Sequence, residues 1–235
     1  MTKSFVTLSV LFALAIYSSC KKSTQNYLDG TYKTGEIVQL DSPKMYTKTS
    51  VITDAQLINS FLDRHKSPSL GRDTGFIFDQ TTQVYNPKRE FTLSGNTATT
   101  TEYGKLVVIQ KNAEELVLEP ADTISYMYST DRLSSMNYWL EANNTGGYIY
   151  DSTKQSDALF YWVKTKDHRT LLQSNGKLYM PIVKFLADLK KSSEGVAIAG
   201  RGTNYWRYFN KNIAEHFVPG DTIIVQCKTA ELIKQ

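Results

Sequence analysis

The sequence predicts a mainly β fold, an antiparallel barrel or open sandwich with two inserted helices. Between residues 75 and 128, turn signals recur about every ten residues, which is typical of antiparallel β domains. The segments between these turns are rich in β-branched and aromatic residues, which favour strands. The composition is 41% hydrophobic and 21% charged, which is sufficient for a packed core. We therefore expect one β-rich domain over residues 28–235.

Turn signals and apolar alternation define the individual strands. Asp29-Gly30 precedes the first strand, Ser94-Gly95-Asn96 indicates a hairpin, and Asn175-Gly176 indicates another. We interpret the polar residues 129–158 as a long loop within one domain, with a boundary between two subdomains as the alternative. Strands are predicted at residues 31–40, 45–52, 75–78, 90–93, 97–101, 103–110, 116–118, 122–128, 159–164, 196–199, 205–209 and 222–227.

Two helices are predicted inside this β domain, at residues 53–65 and 181–191. In the first, Thr53 is the expected N-cap and Gln56 completes a capping box. In the second, Pro181 occupies the first helical position, where its missing N–H is harmless. Each segment carries apolar residues expected to face a core: Leu57, Ile58, Phe61 and Leu62 in the first, and Ile182, Val183, Phe185, Leu186 and Leu189 in the second.

The N-terminal segment has the layout of an export signal. Lys3 supplies a positive charge, and residues 5–16 are uncharged and mostly apolar. A membrane-spanning helix needs about 20 apolar residues, so this stretch fits a signal peptide better. Two small residues, Ser18 and Ser19, then precede Cys20.

Tyr17-Ser18-Ser19-Cys20 resembles the lipobox of bacterial lipoprotein precursors, with Tyr where Leu is usual. The resemblance implies that residues 1–19 are removed, that Cys20 carries lipid and that residues 20–27 form a tether. Two or more acyl chains anchor a protein stably to a membrane. Lys21, in place of Asp, implies the outer membrane, and the lack of an acidic run resembling the Bacteroidota surface-export tag favours the periplasmic face. The alternative is an ordinary signal peptide with an incidental cysteine.

Two short motifs resemble those of lipocalins. Gly30-Thr31-Tyr32 is similar to the lipocalin Gly-x-Trp, and Thr130-Asp131-Arg132 is similar to Thr-Asp-Tyr, although each lacks the usual aromatic residue. With the strand meander at residues 89–128, the resemblance implies a lipocalin-like barrel. The predicted helix at residues 53–65 departs from a plain lipocalin, so we expect it to be an insertion.

Cysteine usage excludes an internal disulfide if Cys20 is lipidated, because the chain has two cysteines. The other, Cys227, lies in an apolar predicted strand. Ile223, Val225 and Cys227 share one face of such a strand. We therefore expect Cys227 to be a buried and unreactive thiol.

Signals for catalysis, metals and cofactors are absent from the sequence. His65, His168 and His216 lack the spacing of metal ligands. There is no Gly-x-Ser-x-Gly motif and no phosphate-binding loop. The net charge of +4 is too small to indicate a nucleic-acid partner. We expect no catalytic residues, no metal and no cofactor, and therefore a protein that is not an enzyme.

Aromatic clusters supply the candidate binding residues, since the chain has 15 tyrosines. The densest clusters are residues 160–162 and 205–209. In a strand, residues 205–209 present aromatic rings on both faces, as expected where one face lines a core and the other lines a cavity. Packing alone is the alternative explanation. Arg207 is available for an anionic group. The candidates are Tyr161, Trp162, Tyr205, Trp206, Arg207 and Tyr208.

The sequence thus predicts a lipid-anchored cell-envelope protein with a non-catalytic binding role, whose ligand is hydrophobic or glycan-like. One alternative is a structural or interaction lipoprotein that docks on an envelope protein complex. A hydrolase is the other, because a glycosidase needs only two carboxyl groups about 5–9 Å apart and the chain has 23 acidic residues.

Overall fold

The computed structural model describes residues 28–65, 90–101, 104–122, 124–129, 148–150, 160–165, 168–190, 197–209 and 211–235. Within 124–129, 148–150, 160–165 and 197–201, the backbone alone is described. The predicted signal segment, Cys20, the tether and the predicted strand at residues 75–78 all lie outside the described residues.

Strands dominate the described chain, with one α-helix and one 3-10 helix. The helix α1 spans Ala55–Arg64 and the 3-10 helix spans Lys211–His216. The strands are β1 (Gly30–Leu40), β2 (Lys44–Thr47), β3 (Val51–Ile52), β4 (Glu90–Ser94), β5 (Thr97–Thr100), β6 (Gly104–Lys111), β7 (Glu115–Pro120), β8 (Ile124–Ser129), β9 (Tyr148–Tyr150), β10 (Phe160–Thr165), β11 (Arg169–Ser174), β12 (Lys177–Lys190), β13 (Ala197–Tyr205) and β14 (Thr222–Lys234).

Eight antiparallel strands close into a barrel, in the order β1-β4-β5-β6-β7-β11-β12-β14 and back to β1. The closing pair is β12 with β14, which stay in register from Leu178 opposite Leu232 to Asp188 opposite Thr222. Full closure removes the exposed strand edges that an open sheet would present. The expected mainly β fold with an antiparallel barrel is therefore confirmed.

Two barrel strands continue beyond the barrel and form a second layer of structure. β12 and β14 have 14 and 13 residues, which is longer than a strand of a small barrel requires. Past the barrel, they pair with β13 on one side and with β2 on the other, giving the five-stranded order β13-β12-β14-β2-β3. We call this part the extended sheet. The strands β8, β10 and β9 form a separate three-stranded sheet.

Side chains fill the interior of the barrel. Tyr32 stacks on Phe91 with ring centroids 4.9 Å apart, and Trp206 meets Phe91 edge-on at 5.6 Å. An eight-stranded barrel is just wide enough for side chains to fill or for one small ligand, and here side chains occupy the interior. The buried set is Leu28, Tyr32, Ile37, Phe91, Leu93, Ala98, Leu106, Leu116, Leu118, Leu171, Leu178, Met180, Ile182, Trp206, Ala230 and Leu232.

The extended sheet is covered on both faces. On one face, α1 packs Ile58 and Phe61 against Leu186, Ile224 and Met45. On the other face, the 3-10 helix and the residues around it complete a second cluster. That cluster contains Tyr46, Val183, Phe185, Ala187, Leu189, Ile213, Phe217, Ile223 and Val225, with Phe209, Ala214 and Cys227 packed against it.

The helix predicted at residues 181–191 is wrong, because residues 181–190 belong to β12. Both faces of β12 are buried, so its apolar residues lose the alternation of a half-exposed strand and resemble a buried helix. Pro181 is tolerated because β12 changes its neighbour there. The pairing with β11 ends at Tyr179 and that with β13 begins at Ile182, so no ladder bond needs the missing N–H.

The first predicted helix is confirmed as α1, with a different cap. Asp54, rather than Thr53, is the N-cap, and its Oδ1 accepts from the backbone N–H groups of Gln56 at 2.8 Å and Leu57 at 2.9 Å. Of the predicted apolar stripe, Ile58 and Phe61 are buried while Leu57 is exposed. The helix begins one residue later than a Thr53 cap would have placed it.

Replacing Asp54 with Ala is expected to lower the free energy of unfolding by about 1 kcal/mol, since two N–H groups of the first turn lose their acceptor. Thr53→Ala is the matched control and should change stability by less than about 0.5 kcal/mol. Urea denaturation of both variants measures the difference. Equal losses, or a larger loss for Thr53→Ala, would contradict the assignment of Asp54 as the N-cap.

Most strand predictions are confirmed, and several differ. The segment 45–52 forms two strands, β2 and β3, joined by a turn in which Thr47 N–H donates to Ser50 O. The strands β9 and β11 were not predicted, and β9 lies in the segment predicted as a long loop. The strands β13 and β14 extend six and seven residues beyond their predicted ends. The predicted strand at 205–209 is wrong, because β13 ends at Tyr205. The hairpin at Asn175-Gly176 is confirmed, with φ of 50° and 75° as a primed turn requires.

Candidate ligand-binding cavity

A cavity of about 290 Å³ lies where the extended sheet leaves the barrel. Its floor is the paired strands β12 and β14, in which Pro181 lies opposite Thr229 and Val183 lies opposite Cys227. Separate segments bring the remaining lining residues together. They are Gln39, Asp41, Ser42, Lys44 and Tyr46 on one side, and Leu172, Arg207, Tyr208, Phe209 and Lys211 on the other, with Ile182, Val225 and Lys228 completing the floor.

A bend of the backbone at Trp206 leads into one wall of this cavity. Trp206 has φ of 67°, a left-handed conformation that is an outlier for a bulky residue. Its N–H and that of Arg207 both donate to Pro181 O, at 2.8 and 3.3 Å. Its own carbonyl accepts from Thr170 N–H at 2.8 Å. Trp206 thereby closes the gap between β11 and β13, and the residues after it line the cavity.

The connection between β1 and β2 forms the opposite wall and is held by hydrogen bonds to β14. Asp41 N–H donates to Cys227 O at 3.0 Å, and Gln226 Nε2 donates to Asp41 O at 3.2 Å. The Asp41 carboxylate accepts from Gln39 Nε2 at 3.2 Å. These bonds fix the position of the acidic side chain at the cavity edge.

Positive charge exceeds negative charge among the lining residues. Lys44, Lys211 and Lys228 contribute ammonium groups, and Arg207 contributes a guanidinium group that is 5% exposed. Asp41 is the one acidic residue within this described lining. The cavity is therefore suited to negative rather than positive ligands.

The thiol of Cys227 reports on this environment. Burial raises its pKa most, and the Asp41 carboxylate raises it further. Lys44, a backbone hydrogen bond from Phe209 and Lys211 act in the opposite direction without overcoming burial. The thiol is therefore protonated at neutral pH. Cys227 is only partly buried, which corrects the full burial expected from the sequence.

Two tyrosines add hydroxyl groups to the cavity. Burial, followed by Glu115 and Glu114, raises the pKa of Tyr208 to about 12. Burial likewise raises the pKa of Tyr46, with smaller contributions from Cys227 and Asp41. Both phenols therefore stay protonated at neutral pH and remain hydrogen-bond donors.

The predicted binding residues are only partly brought together. Arg207 and Tyr208 line the cavity. Trp206 instead points into the barrel interior, and Tyr205 packs against the same core, so these two serve the fold. Tyr161 and Trp162 belong to β10, for which the structure describes the backbone alone. The lysines, Asp41 and Tyr46 were not predicted, because each lies in an ordinary local sequence and only the fold gathers them.

Two histidine–carboxylate pairs lie away from the cavity. His65 Nε2 is 3.0 Å from Asp188 Oδ2, and His168 Nε2 is 3.1 Å from Glu119 Oε2. Neither histidine lines the cavity. In the part of the chain that the structure describes, no group of three or more His, Cys, Asp or Glu is placed to hold a metal ion. These pairs join separate elements, α1 to β12 and β11 to β7.

Comparison with known proteins finds no matching family model, no similar curated protein and no similar solved structure. Among the described residues, no helix combines the length and apolar character needed to cross a membrane. The chemistry of the cavity and the N-terminal segment is therefore the basis for assigning a function.

Proposed function

We propose that this protein is a lipid-anchored envelope protein that binds a small ligand without catalysis. The observation that carries the proposal is the cavity of about 290 Å³ beside the barrel, near the lower end of the volumes typical of ligand sites. Its lining combines apolar and aromatic groups with charged and hydroxyl-bearing ones, and polar groups of this kind fix the orientation of a ligand in small-molecule sites. The anchor is Cys20, and the proposed location is the periplasmic face of the outer membrane.

The ligand site differs from that of a lipocalin, whose ligand lies inside the barrel. Here the barrel interior is occupied by side chains, and the cavity lies on the outer face of β12 and β14. The buried Arg207 and Tyr46 give the site fixed walls, because both side chains are at most 6% exposed. Preformed walls reduce the ordering cost of binding.

A structural or interaction lipoprotein is the second candidate. The filled barrel favours it, because a solid interior serves stability rather than ligand capture. Isolated apolar side chains such as Leu57, Val107 and Ile109 are exposed, but single exposed apolar residues are normal on protein surfaces. The cavity, by contrast, is not a normal consequence of surface composition, so ligand binding is the first candidate.

A filled cavity tests the binding role. Replacing Thr229, on the cavity floor, with Trp is expected to remove ligand that co-purifies with the protein. Ile233→Trp is the matched control, because Ile233 lies on the same face of β14, outside the cavity and 50% exposed. Native mass spectrometry should show a bound species in the parent and in Ile233→Trp, and its loss in Thr229→Trp.

Folding of the variants is checked by circular dichroism. If Thr229→Trp does not fold, Ser42→Trp, on the exposed loop at the cavity edge, replaces it. A bound species that is equally abundant in all variants, or absent from the parent, contradicts ligand binding in this cavity.

Replacing Cys20 with Ala is expected to abolish lipidation, so that the unprocessed precursor accumulates and membrane retention no longer depends on an acyl anchor. Cys227→Ala is the matched control, since it removes the other of the two cysteines. Membrane fractionation and globomycin sensitivity provide the readout. Unchanged processing and retention in Cys20→Ala would refute the lipoprotein assignment.

A further inference from the structure

The cavity places positive charge beside an apolar floor. We propose that its ligand is a small amphipathic anion, a carboxylate with an apolar body. This inference rests on the proposed function, since it identifies the ligand class of the same cavity.

Two of the cations lie near the floor. Lys44, Lys211 and Cys227 all line the cavity, and both lysines lower the pKa of the Cys227 thiol, so each ammonium group lies close enough to act on the floor. They come from opposite walls, Lys44 from β2 and Lys211 from the 3-10 helix. An anionic group that enters between them meets positive charge from both sides. The guanidinium of Arg207 adds a planar donor suited to a carboxylate.

The apolar part of the ligand has a matching surface. The rings of Tyr46 and Phe209 both line the cavity and contact each other, with centroids 4.8 Å apart. Pro181, Val183 and Val225 supply apolar floor. Removing an alkyl chain from water against such a surface contributes about 0.8 kcal/mol per buried CH₂.

A neutral sugar fits the cavity less well, because sugar hydroxyls need hydrogen-bond acceptors as well as donors. Four of the described lining side chains, Lys44, Arg207, Lys211 and Lys228, can only donate, whereas Asp41 is the one that can only accept. The Asp41 carboxylate already accepts a hydrogen bond from Gln39, and the backbone carbonyl of Asp41 accepts one from Gln226. This distribution favours a ligand that brings acceptors of its own.

The volume limits the size of the ligand. About 290 Å³ corresponds to roughly ten water molecules at about 30 Å³ each. Octanoate is of this size, and octanamide is its neutral isostere. The two probes therefore differ in charge at nearly constant shape.

Isothermal titration calorimetry of the mature lipidated protein tests the inference, with octanoate, octanamide and methyl glucoside as probes. The lipidated protein is kept in detergent micelles, into which octanoate and octanamide also partition. The heats measured with Thr229→Trp in the same micelles are therefore subtracted. Octanoate is expected to bind at least about tenfold more tightly than octanamide, and its affinity should fall as salt is raised.

Charge removal locates the anionic group. The double variant Lys44→Met with Lys211→Met is expected to weaken octanoate binding about tenfold and to leave octanamide binding unchanged. Both lysines are exposed, so the fold should tolerate the change. Lys33→Met with Lys105→Met is the matched control, with two exposed lysines removed outside the cavity.

The outcomes separate this inference from the proposed function. Octanamide or methyl glucoside binding as tightly as octanoate, with loss in Thr229→Trp, would overturn the anion inference and keep the binding role. Equal weakening by the two double variants would also overturn it. Absence of binding by every probe, together with no species retained in native mass spectrometry, would overturn both.

Discussion

Replacing Trp206 with Ala is expected to lower the free energy of unfolding by about 3–5 kcal/mol, the cost of emptying a large core site. Trp206 is 3% exposed and contacts Phe91 edge-on inside the barrel. It lies where β12 changes its neighbour from β11 to β13, and its backbone bonds to Pro181 and Thr170. Loss of the indole leaves a void at this junction. Urea denaturation measures the change.

Two further variants at this position test the cause. At a φ of 67°, glycine avoids the strain that alanine retains, so Trp206→Gly should be about 1 kcal/mol more stable than Trp206→Ala. Glycine is usually the less stable of the two because it loses more backbone freedom on folding, so this order would be diagnostic. Trp206→Phe should cost less than either. It keeps most of the volume and removes a buried Nε1–H without a hydrogen-bond partner among the described residues.

A loss below about 1 kcal/mol for Trp206→Ala would contradict the assigned core role. An alanine variant as stable as the glycine variant would contradict the left-handed backbone. Each outcome refers to a different feature, the burial of the ring or the conformation of the chain.

The second large effect is expected at Asp221, where replacement with Ala should cost about 2–5 kcal/mol. Asp221 is 1% exposed. Its Oδ1 accepts from Lys190 N–H at 2.9 Å and its Oδ2 accepts from Val218 N–H at 2.8 Å. The side chain thus joins the end of β12 to the turn before β14. Replacement with Ala removes the acceptor of two N–H groups, and each N–H group left unsatisfied costs about 1–3 kcal/mol.

Asp221→Asn is the matched control for this effect. Asparagine has the same shape but one acceptor oxygen, so it can satisfy one N–H group while its amide opposes the other. We expect the free energy of unfolding of Asp221→Asn to lie between those of the parent and Asp221→Ala. Asp54 is the exposed helix cap. If Asp221→Ala lowers the free energy of unfolding no more than Asp54→Ala does, burial of the Asp221 hydrogen bonds does not add to their contribution.

Local sequence patterns were sufficient for much of the fold. β1, β4, β6 and α1 follow from alternation, turns and helical spacing, each of which acts over a few residues. The misassigned segment 181–190 shows the limit of this reasoning. Both faces of β12 are covered by distant elements, α1 and the 3-10 helix, so its sequence carries no alternation. Which elements cover a strand depends on the whole chain.

The candidate site was less predictable than the fold. Arg207 and Tyr208 were identified from an aromatic cluster that was predicted to be a strand. The chain instead bends at Trp206, so that Trp206 packs in the barrel and the residues after it line the cavity. Lys44 and Lys211 were missed, since 167 positions separate them and neither has a distinctive neighbour.

By itself, the sequence establishes the β-rich class, the first helix and the basic, apolar and small-residue pattern that ends at Cys20. These features depend on local propensity, on turn chemistry and on the linear order of residues, which any window of the chain displays. Closure of the barrel, the filled interior and the cavity required the tertiary structure. They arise because β12 and β14 pair along their full length and extend beyond the barrel, bringing the β1–β2 connection and residues 206–211 to opposite walls of the cavity.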